Sequence, residues 1–245
     1  MSKPTIVFFL TVIFSAGLFF RSAQAPILIS AAAIFSLLCL LVDFLLYRKE
    51  LRHFFDLTFL LYPLFWITAS LGIMALIPDG FWRVIFALLL AMGFWKLQLE
   101  LGPFVSSPAL DNLFFLSVMG IFLAVWAVDF YFTPGWWIIL TSVFLLAWLF
   151  FWTSFFATDA GVNAKLVYSM ILAFLLTQVT WAMLFLPFHF FTMSLILSGV
   201  FYVFWHIVRF YLQKTLTREK IIFYVAFAAG VEILALLTTA WLPKI

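Results

Sequence analysis

The stretch KIIFYVAFAAGVEILALLTTAWL, residues 220–242, is apolar over most of its length and carries a single acidic residue, Glu232, near its middle. An α-helix needs about 20 mostly apolar residues to cross the hydrocarbon core of a bilayer. Runs of this kind recur along the whole chain. They predict an all-α fold, that of a polytopic integral membrane protein.

On a helix, Glu232 shares its face with the residues three, four and seven positions away, and most of these are small. They are Val225, Ala228, Ala229, Ala235, Leu236 and Thr239. The opposite face is bulky and carries Phe223, Phe227, Val231, Leu234 and Trp241. Because small residues let helices approach closely inside a membrane, we expect Glu232 to face other helices and the bulky side chains to face lipid.

The composition indicates a chain that lies almost wholly in the membrane. Hydrophobic residues make up 67% and charged residues 9% of the 245 residues, and the mean hydropathy is +1.23. A soluble domain typically carries about 25% charged residues. Because the connections between apolar runs are short, we expect a single transmembrane helical domain over residues 1–245 and no soluble domain.

Nine apolar runs predict about nine transmembrane helices. The runs cover residues 4–20, 26–47, 54–77, 81–98, 110–130, 135–156, 164–185, 188–211 and 220–242. Connections with the proline and glycine chemistry of turns recur near residues 25, 79, 134 and 187. The expected arrangement is therefore four helical hairpins plus one C-terminal helix.

The first run has a second interpretation, that of a cleaved signal peptide. Lys3 precedes an apolar core, and the sequence Ala-Gln-Ala at residues 23–25 fits a small-x-small cleavage site. Arg21 lies between the core and that site, which favours an uncleaved first helix. The orientation of the later helices is the same in both interpretations.

Basic residues predict that orientation, since cytoplasmic loops carry an excess of lysine and arginine. With the amino terminus in the cytoplasm, the 13 Lys and Arg residues all face the cytoplasm except Arg21, Arg83 and Lys244. We therefore expect a multi-pass protein of the cell (cytoplasmic) membrane with its carboxyl terminus outside. The net charge of +3 follows from this topology, so the lipid bilayer is an expected partner and nucleic acid is not.

Glu232 is the first candidate functional residue, because ionisable side chains inside a membrane usually mark sites of function. It either exchanges a proton or binds a cation, or it hydrogen-bonds between helices as a structural group. Tyr62, Gln178 and Tyr202 lie at similar depth in their own runs and are the expected partners. Pro63, near the middle of the third run, predicts a kink there.

A second candidate site lies on the predicted cytoplasmic side, where several charged residues, Asp43 among them, are expected to collect. We call His53, Asp56, His206 and Arg209 the cytoplasmic polar cluster. These residue types could perform acid–base or metal chemistry on a lipid. No HExxH or paired-carboxylate spacing accompanies them, so we assign no catalytic and no metal-binding residue. The alternative is an interfacial cluster of charges.

Lys96 and Glu100 are four residues apart near the end of the fourth run. Residues with this spacing lie on the same side of a helix, where opposite charges attract each other. We therefore expect a local ion pair rather than a binding site.

Three classes of function stay open. The favoured one is a non-enzymatic subunit or assembly partner in a membrane complex, bound to another membrane protein or to a second copy of the chain. A carrier or channel for ions or small solutes would use Glu232, and a lipid-modifying enzyme would use the cytoplasmic polar cluster. The small number of deep polar residues favours the first class over a transport pathway. No motif identifies a cofactor.

Overall fold

The computed structural model describes residues 3–19, 25–47, 59–101, 107–155, 158 and 160–239. Within these ranges the chain forms nine helices and no strand. The helices are α1 Lys3–Phe19, α2 Ala25–Tyr47, α3 Leu61–Leu76, α4 Phe81–Glu100, α5 Pro108–Phe132, α6 Trp136–Ser154, α7 Val162–Met183, α8 Phe190–Leu212 and α9 Arg218–Thr238. Each of the nine apolar runs in the sequence falls on one of them.

Six of these helices, α4 to α9, are long and apolar enough to cross a membrane. Inside a bilayer the backbone must satisfy its own hydrogen bonds, which a helix does within one segment. The all-helical prediction is therefore confirmed for the described part of the chain, and the six long apolar helices are consistent with a helical membrane protein. In the other three helices the apolar segments described in full, Lys3–Leu18, Ala33–Tyr47 and Leu61–Leu76, are shorter.

The prediction that Pro63 kinks the middle of a helix is wrong. The third helix begins at Leu61, so Pro63 lies within its first turn. The first backbone N–H groups of a helix have no partner within the helix, and proline therefore loses no hydrogen bond there. Pro63 therefore does not interrupt the hydrogen bonds in the middle of α3.

The helices pack as two compact units, unit 1 over Met1–Ile121 and unit 2 over Phe122–Ile245. In unit 1, α4 packs against both α1 and α3. The rings of Phe14 and Phe94 stack at 4.6 Å between centroids and join α1 to α4. Trp66 of α3 donates a hydrogen bond from Nε1 to the carbonyl oxygen of Leu90 at 3.0 Å. Its ring lies where a Cβ on Gly93 would be, so this helix pair depends on glycine.

In unit 2, α6 packs against α7, and α8 packs against both α7 and α9. Phe201 of α8 is fully buried and stacks on Phe151 at 4.6 Å between ring centroids. The side chains of His189 and Thr217 explain where α8 and α9 begin. His189 accepts a hydrogen bond from the backbone N–H of Phe191, and Thr217 caps α9 in the same way. Such caps satisfy N–H groups that the helix itself leaves unpaired.

Candidate functional site

Glu232 lies against α8 at a position where α8 has a glycine. Its Oε1 atom is 2.7 Å from the point that a Cβ on Gly199 would occupy. A Cβ at this position would require the carboxyl group to move. Glu232 is half-buried, and no residue in the described ranges donates a hydrogen bond to it or forms an ion pair with it. The carboxyl group therefore lies at a helix interface without a donor from that part of the chain.

The predicted division of α9 into a small and a bulky face is confirmed where its residues are described. Ala228 and Ala235, on the side of Glu232, are the buried residues of α9. The bulky side chains Phe223, Phe227, Val231 and Leu234 are exposed. The contact with α8 is narrower than expected, because Val225 and Ala229 are exposed as well. Glu232 consequently lies at the edge of the interface and not at its centre.

A strip of small exposed residues begins at Ala229, three positions before Glu232, and continues around α9 to Ala226 and Gly230 on the side away from α8; we call these three residues the small flank. All three are exposed. No described atom lies within 4 Å of the position that a Cβ on Gly230 would take. Inside a membrane, such a surface lets the backbone of another helix come close.

The three expected partners of Glu232 have different positions. Tyr62 is buried in unit 1, where its ring lies 5.0 Å from that of Phe114. Gln178 is exposed on α7 and makes no hydrogen bond within the described part of the chain. Tyr202 lies one helical turn from Gly199 on α8, and its ring contacts Phe227 of α9 at 5.9 Å. Tyr202 alone shares the α8–α9 interface with Glu232.

The cytoplasmic polar cluster is described only in part, because His53 and Asp56 lie outside the described residues. The ring of His206 stacks on that of Tyr224 at 4.4 Å, with an angle of 10° between the planes. Its Nδ1 atom is buried and makes no hydrogen bond with a described residue. Arg209 is buried and places its guanidinium 5.8 Å from the Trp205 ring. Of the two described residues of the cluster, His206 makes an aromatic contact between α8 and α9, and Arg209 packs on a ring of α8 itself.

A polar face on α2 is the feature that sequence reasoning missed. The buried residues among 33–47 are Ser36, Cys39, Asp43 and Tyr47. The apolar residues Ile34, Leu37, Leu38, Leu41, Phe44 and Leu45 are exposed. Spacings of three and four residues place the polar side chains on one side of the helix. This spacing was the available signal, and it shows that α2 turns its polar side into the bundle.

Asp43 is the most deeply buried carboxyl group in the described part of the chain, with 1% of its surface exposed. Its Oδ2 atom accepts a hydrogen bond of 3.2 Å from Nε2 of Gln98 on α4. Gln98 is also 1% exposed. The pair therefore links α2 to α4 inside unit 1, whereas the sequence suggested only a charge near the membrane surface.

Lys3, the first residue of α1, lies close to this pair. Its Nζ atom donates hydrogen bonds to the carbonyl oxygens of Leu99, at 3.2 Å, and Leu101, at 2.7 Å. The ammonium group also lies 5.1 Å from the centre of the Tyr47 ring, and the Tyr47 hydroxyl donates to the same Leu101 oxygen. Lys3 is within electrostatic range of Asp43. These contacts bring the start of α1 to the ends of α2 and α4.

The predicted ion pair between Lys96 and Glu100 is confirmed. The Nζ atom of Lys96 lies 2.6 Å from Oε1 of Glu100. Both charges are therefore engaged with each other at the end of α4. Among the described residues, no three His, Cys, Asp or Glu side chains are grouped so that they could hold a metal ion.

Comparison with known proteins places the chain in one family. The family model described as protein of unknown function (DUF5656) matches residues 47–238. Since the match covers more than half of the chain, the protein belongs to this family. The matched segment contains α3 to α9 in full. No curated protein and no solved structure matches the chain.

Proposed function

We propose that this member of the DUF5656 family is a non-enzymatic subunit or assembly partner in a membrane complex. In this proposal, α9 docks against a transmembrane helix of another membrane protein. The observation that carries the proposal is Glu232, a half-buried carboxyl group without a donor from the described residues, beside an exposed flank of small residues.

A carboxyl group in the hydrocarbon region requires a hydrogen-bond partner, because transfer of an unpaired polar group out of water is unfavourable. The expected partner helix therefore presents a donor, such as the side chain of Asn, Gln, Ser, Lys or Arg, at the depth of Glu232. Hydrogen bonds between membrane helices contribute about 1–2 kcal/mol in model peptides. One such bond favours a specific neighbour over lipid.

The small flank supports the same proposal by its shape. Ala229 is exposed beside Glu232, and Ala226 and Gly230 extend the small surface further around α9, so a second helix could approach the carboxyl group over Ala229. Lipid tails gain little from such a surface, whereas a packed helix gains van der Waals contact along its length.

Gln178 is an exposed polar side chain on α7, a second helix long enough to span a membrane. An amide carries two N–H donors and one acceptor oxygen, and lipid tails satisfy none of them. A protein neighbour at α7 would satisfy them. The half-buried carboxyl group on α9 and the exposed amide on α7 together favour a complex over a single chain in lipid.

The topology that accompanies this proposal is nine spans in four hairpins plus a C-terminal helix, in the cytoplasmic membrane. The amino terminus lies in the cytoplasm and the carboxyl terminus outside. Support comes from the six helices of spanning length and from the distribution of the 13 basic residues in the sequence.

Native mass spectrometry after extraction in mild detergent from the protein's own host tests the proposal. We expect a companion protein at fixed stoichiometry with the wild-type chain. Ala229→Leu fills the small flank and should release the companion. Val231→Leu, on the exposed bulky face, is the matched control and should retain it. A wild-type chain that is always monomeric would contradict the proposal. A dimer of identical chains would mean that the partner of α9 is a second copy of the chain and not another protein.

A carrier or channel is the second candidate, because a carboxyl group without an internal donor also suits a proton or cation site. In a Cys39→Ala background, Glu232→Cys would then react with a water-soluble thiol reagent, and Val231→Cys would not. Absence of reaction at position 232 in proteoliposomes would remove the carrier and leave the docking surface.

A further inference from the structure

The buried side of α2 is polar, and its exposed side is apolar. Its apolar side chains point outward, and its buried side is formed by Ser36, Cys39, Asp43 and Tyr47. Inside membranes, helices place ionisable residues toward the bundle interior where those residues act on protons or ions. The polar side of α2 therefore requires an explanation that packing of apolar side chains does not supply.

From the described residues, Asp43 receives fewer hydrogen bonds than an ionised carboxyl group accepts in water. Two carboxylate oxygens offer about four acceptor positions. The amide of Gln98 fills one of them with a 3.2 Å bond. Burial of a charge with a single neutral donor is unfavourable, whereas a protonated carboxyl group needs far less compensation.

The charged and titratable groups close to Asp43 or to its partner Gln98 lie on α1, α2 and α4. On α1, Lys3 is within electrostatic range and directs its ammonium to the carbonyls of Leu99 and Leu101. On α4, Lys96 and Glu100 lie on either side of Gln98 in sequence and are bound to each other. On α2 itself, Cys39 and Tyr47 are buried on the same side of the helix as Asp43. Lys3 is thus a cation close to the site, on a different helix from Asp43.

We infer that Asp43 is a proton-binding site, at which the carboxylate takes up one proton to become a carboxylic acid and later releases it. Gln98 positions the carboxyl group in both states, because its amide N–H can donate to a carboxylate or to a carbonyl oxygen. The only species exchanged is H⁺, so no co-reactant is needed. The site lies in unit 1 and does not depend on the docking surface in unit 2.

The neighbouring groups favour a proton over a metal cation. Hard cations in proteins take six or more oxygen ligands. The described contacts of Asp43 supply its own two oxygens and the Gln98 amide, and Cys39 lies one turn away on the same face. A proton needs one oxygen and one hydrogen-bond partner, which this pair provides.

Infrared difference spectroscopy on the full chain in proteoliposomes tests the inference, because it detects protonated carboxylic acids directly by their C=O stretch. Between acidic and alkaline buffer, the wild type should lose a C=O band. Asp43→Asn, which preserves size, should lack that band altogether. Glu232→Gln is the matched control for the other intramembrane carboxyl group and should retain it.

Gln98→Met separates the site from a general effect on folding. This change keeps the length of the side chain and removes its amide. The band should persist and move to a higher frequency, because the carbonyl loses a hydrogen bond. If Asp43→Asn and the wild type, both folded by circular dichroism, give the same difference spectrum, Asp43 does not exchange a proton and the inference is overturned.

Discussion

Asp43 and Glu232 are both acidic residues in apolar helices, but their surroundings differ. Asp43 is 1% exposed and has an amide donor from a neighbouring helix. Glu232 is half-buried at the edge of a helix pair and has no donor among the described residues. A carboxyl group with an internal partner belongs to the interior of its bundle. In the proposal above, another molecule supplies the donor that Glu232 lacks among the described residues.

Substitution of Gln98 and of Gln178 should give the largest difference in the free energy of unfolding. Gln98→Leu removes the donor of a buried carboxyl group and should lower the free energy of unfolding by about 1–3 kcal/mol. Gln178→Leu is the same substitution at an exposed position and should change it by less than about 0.5 kcal/mol. Reversible unfolding in mixed micelles, followed by circular dichroism, measures both. Equal losses in the two variants would remove the distinction between interior and surface.

A double-mutant cycle gives the next largest effect. Asp43→Leu and Gln98→Leu each leave one buried polar group unpaired, whereas the double variant leaves neither. The double variant should therefore be more stable than the sum of the single losses predicts, by about 1 kcal/mol. The same unfolding assay measures this coupling. Strict additivity would mean that the bond between the two side chains does not contribute to stability.

Lys3→Met should have a smaller effect, confined to unit 1. The change removes hydrogen bonds to the carbonyls of Leu99 and Leu101 and the contact with the Tyr47 ring. Since Lys3 is partly solvated, we expect a loss of about 0.5–1 kcal/mol. Lys214→Met, at an exposed position in unit 2, serves as the control and should be neutral. Amide hydrogen exchange should locate the loss of protection at the ends of α2 and α4.

Gly199→Ala should have the smallest effect on stability. The new Cβ would lie 2.7 Å from Oε1 of Glu232, which is the end of a flexible side chain. The carboxyl group can turn away from α8, so the free energy of unfolding should fall by about 0.5 kcal/mol or less. A loss as large as that of Gln98→Leu would mean that Glu232 is held as firmly as Asp43. The same unfolding assay decides between the two.

Local spacing predicted several of these features correctly. The small face of α9 follows from residues at helical spacing around Glu232, and Ala228 and Ala235 are buried as expected. The Lys96–Glu100 pair depends only on two residues four positions apart on one helix. Both predictions succeed because the relevant geometry lies within a single element.

Features that depend on contact between distant residues were not predictable in this way. Gln98 and Asp43 are 55 residues apart in sequence, and only the packing of α2 near α4 brings them together. Tyr62 and Glu232 share a depth in their sequence runs but belong to different units. The position of Pro63 within its helix was predicted wrongly, because hydrophobicity shows an apolar run but not the residue at which the helix begins.

Photocrosslinking in the host membrane is the most direct test of the docking surface. A photoreactive diazirine side chain replaces Ala229 in the small flank, and a second variant carries it at Val231 on the bulky face. At position 229 we expect one discrete crosslinked product that contains another membrane protein. At position 231 we expect lipid adducts alone. Lipid adducts alone at both positions would contradict the assignment of α9 as the surface that binds a partner.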